Sequence, residues 1–502
     1  MLSPAMNHPR RLVPVLALVA LAPFVVLAWR STRDPLRAAP NSGAADGAGA
    51  RAPIPAKLEL LAAEALARPG AFAMLESLCN TAPHRLAGSP GAENAVHWAE
   101  ETMRSIGLEN VRVEPCLVPR WERGSVARLA LAPGQSGGDE VYSVLALGGS
   151  PGTPAGGLEA EVVRVERLED VAALGERARG KAIFFDRPMD PSRPDPFSAY
   201  GGAVDQRALG SQTAARAGAA FAIVRSMTLA RDDHPHTGSM RTADGPIVPA
   251  VAIGTLGAER LAARLAKGAP VRLRLDLDCA TRADVPSANV VGEIVGRERP
   301  EEIVVLRGNL DAWDVGQGAH DDGAGCVHAL EALRLVRVLG WQPRRTLRVV
   351  LWMNEENGTR GAQAYRDAHA DELARHVLAL ESDRGGFAPR GFDCTVGTPA
   401  LARLAAIGRE LEPYGIGFVR SSPHSGVDIG PLAEQGVPCV GFVPDPTRYF
   451  DVHHSAADVL SAVHPRELEL GALCIAWLVV SVADDEQPLD RTPPAAAPKP
   501  AH

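Results

Sequence analysis

The sequence predicts an α/β protein, a mixed, mostly parallel sheet flanked by helices and interrupted by an inserted, mostly β domain. Three observations lead there. From about Ser287 onward, apolar runs of strand length alternate with amphipathic helical stretches, the pattern of a sheet covered by helices on both faces. Between about residues 120 and 280 the texture changes to short β-rich runs separated by loops. The length of 502 residues holds both units, since domains usually run to about 100–200 residues.

Each segment has its own justification. Residues 1–56 contain the apolar run Leu12–Trp29, which follows Arg10 and Arg11 and ends at Arg30. A basic stretch before such a run reads as a secretory signal or an uncleaved membrane anchor, followed here by an Ala/Pro/Gly-rich linker. The chain is therefore expected to be exported, periplasmic or extracellular, with any membrane attachment through this end alone. Residues 57–119 open the main domain with helical spacing in LELLAAEAL and AENAVHWAEETMRSIGL. The second helix is introduced by Ser89-Pro90, a capping residue and a first-turn proline. Residues 120–283 form the insertion, with strands in ARLALA, EVVRVE, GKAIFFD, FAIVRS, VPAVAIG and VRLRLDL. The main domain returns over 284–484: strand IVVLRGNL, helix AGCVHALEALRLVRVL, strand TLRVVLWM, then strands in HVLALESD and CVGFVP. Residues 485–502 are Pro/Ala-rich and are expected to form a disordered tail.

Composition narrows the function classes. An apolar fraction of 46% and a charged fraction of 22% exclude full disorder, a fibre and a multi-span membrane protein. A net charge of −8 gives no reason to expect a nucleic-acid partner. Seven cysteines without a CxxC spacing exclude a disulfide framework and a zinc finger.

In open α/β sheets, ligands gather beyond the carboxyl ends of the strands. Polar residues stand at four such ends. After IVVLRGNL come Asp311 and a glycine-rich loop reaching Asp321 and Asp322. After TLRVVLWM come Glu355 and Glu356, and after HVLALES comes Asp383. Near the end, Tyr449-Phe450 lead to His453, His454 and Asp458. So many carboxylates on one rim would repel one another unless divalent cations were bound among them.

GNLDAWDVGQGAHDDGAG (308–325), LWMNEENGTRGA (351–362), ALESDRGG (379–386) and YFDVHHSAADV (449–459) resemble the ordered motifs of the co-catalytic zinc exopeptidases, of the aminopeptidase and plasma glutamate carboxypeptidase type. HRLAGSPGAENAVHWAEETMRSIGL (84–108) extends the resemblance upstream. AARAGAAFAIV (214–224), the stretch His234-Pro235-His236-Thr237-Gly238 and IVPAVAIG (247–254) resemble a protease-associated domain. The resemblance implies a peptidase acting on dipeptides or short peptides, two zinc ions per chain and a homodimer. It implies that Asp321 bridges the metals, with a cis Asp321-Asp322 peptide. Glu356 and His454 would complete the first metal site, and Asp383 and residue 309 the second. His454 is preferred to His453 because the family spacing places an aspartate four residues on, at Asp458. Glu355 would be the general base, His424 a donor to the oxyanion, and Asp311 a carboxylate orienting the ligand at 309.

The family has histidine where this chain has Asn309. A neutral amide is a poorer zinc ligand than imidazole, so the second metal is expected to be weak, lost or replaced by a harder ion. Two other readings stay open, a glutaminyl-cyclase-like enzyme with one zinc and a non-catalytic binding protein on a decayed peptidase scaffold. The long insertion weighs against the first and the retention of Glu355 against the second.

Overall fold

The structure, a computed structural model, describes residues 55–135, 140–241 and 245–493. The apolar run at 12–29 lies outside these residues. Among them, no helix is long and apolar enough to cross a membrane.

Two eight-stranded sheets organise the chain. In the first, the strands Arg345–Trp352, Arg299–Asn309, His376–Glu381 and Cys439–Pro444 lie side by side and parallel. Antiparallel neighbours extend it on both sides, Ala280–Ile294 at one end and Pro389–Thr395 at the other. Side chains alternate across a strand, and here both faces are buried. Val304 and Leu306 join the core under the helices Ala324–Val338 and Pro465–Asp484, whereas Ile303 and Val305 join the core around Ala362 and Tyr365 of helix Arg360–Ala368. Double-sided burial is why these strands read as unbroken apolar runs. Ser89 caps its helix as the sequence predicts, its Oγ accepting the Ala92 N–H at 3.1 Å.

The second sheet is built from strands between Ala127 and Leu277. Four of them, Leu158–Val165, Ala182–Phe185, Phe221–Arg225 and Ala250–Ile253, are parallel. The expectation of a mostly β segment needs correction, because Leu168–Leu174, Asp205–Arg216 and Thr255–Leu265 are helices. These amphipathic stretches are short and alanine-rich, which left little periodicity to read. The expected boundaries at 119/120 and 283/284 fall inside two long paired strands, Glu109–Glu122 and Ala280–Ile294, whose register sets Val118 opposite Val285 and Arg120 opposite Arg282.

The expected tail also starts later than 485. Arg403 bonds Asp485 Oδ2 at 2.6 Å and the Pro488 carbonyl at 2.6 Å, Arg491 bonds the His376 carbonyl at 2.9 Å, and Leu489 is buried. Arginine donors on both sides, Arg403 from the folded body and Arg491 from the segment, hold a stretch that composition alone marks as unstructured. All seven cysteines are buried and unpaired.

Candidate active site

The four parallel strands end at one edge of the first sheet, and the loops that leave them carry the polar residues. After Asn309 the chain runs through Asp311 to a tight turn at Ala319–Gly323 in which the Asp321-Asp322 peptide is cis. Asp322 ties strand to helix, its Oδ2 accepting the Asn309 N–H at 3.0 Å and its Oδ1 the Gly325 N–H at 2.9 Å. Gly325 has no room for a side chain, since a Cβ there would stand 2.0 Å from the Ser382 carbonyl oxygen. Asp458 accepts the N–H groups of His320 at 2.7 Å and Asp321 at 3.0 Å, which fixes the backbone that aims Asp321. Arg85, fully buried, donates to the carbonyls of Leu310, Gln317 and Gly318 and holds the intervening loop.

Asp311 acts on a different loop from the one expected. Its Oδ1 accepts the N–H of Asn354 at 2.8 Å and of Glu355 at 3.0 Å. Asn309 instead reaches the Asp311 backbone carbonyl, at 3.2 Å. The carboxylate thus positions the Glu355-Glu356 turn, where Asn354 has a positive φ of 74°.

Three side chains from three loops converge. His454 Nε2 lies 3.2 Å from Asp321 Oδ2 and 3.2 Å from Glu356 Oε2. His454 Nδ1 lies 3.3 Å from the Thr237 carbonyl and 3.4 Å from Arg207 Nη1; with its proton on Nδ1, donated to that carbonyl, the Nε2 lone pair would face the carboxylates. His453 stacks on His454 with ring centroids 3.6 Å apart, and its Nε2 is 3.7 Å from Asp321 Oδ2. Asp321 Oδ2 and Glu356 Oε1 are buried with no hydrogen-bond partner. Buried acceptors left unpaired are costly, and a divalent cation is the partner that this donor set fits: two carboxylates and one imidazole, with room for water, is a catalytic-zinc complement. Burial lowers the pKa of both histidines, keeping them neutral as ligands must be. Burial and then the carboxylates of Asp383 and Asp428 push Glu355 well above the usual carboxylate range, with Arg307 pulling the other way.

Residues of the second sheet's loops hold this arrangement. His236 Nδ1 bonds the His453 carbonyl at 2.6 Å, the Thr237 N–H donates to the His454 carbonyl at 2.9 Å, and Ser239 Oγ donates to the Glu356 carbonyl at 2.8 Å. The stretch His234-Gly238 was visible as a motif; its grip on the histidine loop was not.

Three predicted residues remain, and of these Asp383 stays close enough for its charge to raise Glu355 and Glu356. Asn309 is fully buried with both side-chain atoms engaged, Oδ1 accepting from Arg307 at 3.0 Å and Nδ2 donating to Asp311. One lone pair of Oδ1, the atom that would face a second metal, is thus committed to Arg307. Asp383 stands 3.6 Å from Arg307 Nη2. His424 is exposed, on the rim of a cavity of about 550 Å³ that it lines with Phe197, Asp383 and Arg384.

The fold and this rim of carboxylates and imidazoles define a metallo-exopeptidase. More particularly, the chain belongs to peptidase family M28, whose sequence profile matches residues 289–478. It is 35% identical over 422 residues to carboxypeptidase Q of Mus musculus, covering 84% of this chain and 87% of that protein. To carboxypeptidase Q of Homo sapiens it is 35% identical over 435 residues, covering 86% and 89%. Among solved structures, a peptidase M28 precursor from Shewanella amazonensis superposes with a TM-score of 0.83 at 33% identity, covering 88% of this chain and 98% of that one. A zinc aminopeptidase from Bacillus subtilis shares the fold, with a TM-score of 0.60 at 18% identity over 83% and 95% of the two chains.

Proposed function

We propose that this protein is an exported zinc exopeptidase that hydrolyses dipeptides or short peptides, with Asp321, Glu356 and His454 holding the metal and Glu355 as general base. The observation that carries this is the convergence of those three side chains with buried, unpartnered carboxylate oxygens beside Glu355. Zinc held there would polarise a peptide carbonyl and make a water molecule more acidic. Glu355 accepts a proton from the attacking water as its oxygen bonds the carbonyl carbon. It returns that proton to the departing nitrogen as the C–N bond breaks. The raised proton affinity of Glu355 suits both halves of that task. The adjoining cavity lies within the roughly 300–1,000 Å³ of small-ligand sites, which supports short rather than long substrates.

The test is hydrolysis of free, N-blocked and C-blocked dipeptides by zinc-reconstituted protein, with Glu355→Gln as control. Turnover of the free dipeptides is expected, falling about 10²–10⁴-fold in the variant while bound zinc is unchanged. Equal rates in the two proteins would remove Glu355 from the mechanism. The absence of turnover with either zinc or manganese would remove the peptidase assignment.

A further inference from the structure

Beneath the carboxylate rim lies a cation that catalysis as described leaves unused. Arg307, inside the strand Arg299–Asn309, is fully buried. Its Nη2 stands 2.9 Å from Glu381 Oε1, 3.3 Å from Asp428 Oδ2 and 3.6 Å from Asp383 Oδ2, and its Nη1 is 3.7 Å from Asp322 Oδ2. Nη2 makes no well-aligned hydrogen bond to any of them, so the guanidinium sits among four carboxylates as a central charge and is not forked onto one partner.

Arg307 and Asn309 are two apart on one strand, which turns both side chains to the same face. There Arg307 Nη1 donates to Asn309 Oδ1 at 3.0 Å, and Asn309 Nδ2 donates onward to the Asp311 carbonyl at 3.2 Å. An asparagine at 309 can accept from the guanidinium and donate to the carbonyl at once. An imidazole there would have to turn its lone pair toward the guanidinium or a metal, not both. A second divalent cation would also need Asp383, whose carboxylate already faces Arg307. It would approach a fixed positive charge in a buried setting, where like charges repel strongly.

We propose that Arg307 takes the place of a second metal ion. Its single positive charge sits among Glu381, Asp428, Asp383 and Asp322 and offsets part of their repulsion, Asn309 latches it in place, and the chain binds one divalent cation, at Asp321, Glu356 and His454. The inference rests on those three residues being the metal site, and goes beyond a weak ligand at 309 by naming what fills the space and the charge. Arg307 is a positioning residue in this scheme, since it reaches no solvent.

The test is metal stoichiometry, which reads out independently of turnover. Chelator-stripped protein is titrated with Co²⁺ and followed by its visible absorption, and zinc retained after gel filtration is counted by elemental analysis. One equivalent is expected from each. Two retained equivalents in active protein would overturn the role of Arg307 alone. No retained metal would overturn this inference and the metallopeptidase assignment together. The double variant Arg307→Ser with Asn309→His is expected to bind a second equivalent, and Asn309→His alone to stay at one. A folded double variant that stays at one would show that Arg307 is not what excludes the second ion. Should the double variant fail to fold, Arg307→Lys, which keeps the charge, must still bind one equivalent; two would overturn the proposal.

Discussion

Glu355 and Glu356 are neighbours in sequence with different surroundings. Glu356 points at His454 Nε2 across 3.2 Å and is raised above the usual carboxylate range by burial and then Asp321, whereas Glu355 is raised by burial and then Asp383 and Asp428. The backbone turn fixed by Asp311 is what separates the two roles. The paired histidines differ in the same way, His454 lying within 3.2 Å of two carboxylates and His453 no closer than 3.7 Å to one. His454→Ala is therefore expected to lose bound zinc, by at least tenfold in affinity, while His453→Ala keeps it. Competition against a chromophoric chelator measures both, and the reverse order would exchange their assignments. The spacing to Asp458 was readable in the sequence because ligand and clamp lie on one short loop. Arg307 was not singled out, although a charge inside the apolar run IVVLRGNL was the available signal. A lone arginine in a strand says nothing about which carboxylates will surround it.

At the scale of elements, the helices Ala324–Val338 and Pro465–Asp484 pack against each other and bring Glu331 and Glu469 together. Glu469 Oε2 accepts the Ala71 N–H at 3.2 Å, while its Oε1 has no partner. Burial and then the charge of Glu331 push Glu469 up to about 8 from its ordinary 4.5. In the unfolded chain the group ionises near 4.5, and in the folded chain it keeps its proton until about 8. The unfolded state is thus the one favoured as pH rises, so stability falls between those values and levels off above them. Glu469→Gln keeps an acceptor for Ala71 and removes the ionisation. It is expected to stabilise the protein by about 1–3 kcal/mol at pH 8 and by close to nothing at pH 4. Urea unfolding at the two pH values measures this; an equal shift at both would show that Glu469 does not titrate in that window. The two helices were each legible from their spacing. Their pairing was not, because 130 or so residues of sheet and loop separate them.

For the whole molecule, the metal residues come from loops that are distant in sequence, so an ion bound among them ties the folded state together. A ligand that binds only the folded chain stabilises it by about 2.7 kcal/mol at a hundred times its dissociation constant. Zinc is therefore expected to raise the melting temperature of the wild-type protein, and a chelator to lower it, with neither effect in His454→Ala. Calorimetry with and without zinc checks this, and an unchanged transition in the wild type would argue against a metal bound across these loops. The second sheet belongs to the same arrangement, since His236, Thr237 and Ser239 hold the backbones of His453, His454 and Glu356. His236→Ala should accordingly weaken zinc binding although the residue is no ligand.

Strand and helix patterning, the order of the strand-end carboxylates and the alternative at residue 309 were determined by the sequence, because side-chain periodicity and loop motifs are local properties. The mixed α/β character of the insertion, the docked segment after Asp485, the clasp on the histidine loop and the four carboxylates around Arg307 were decided only by the tertiary structure. Each depends on partners far apart along the chain, and a buried charge or hydrogen bond acquires its meaning from what packing places beside it.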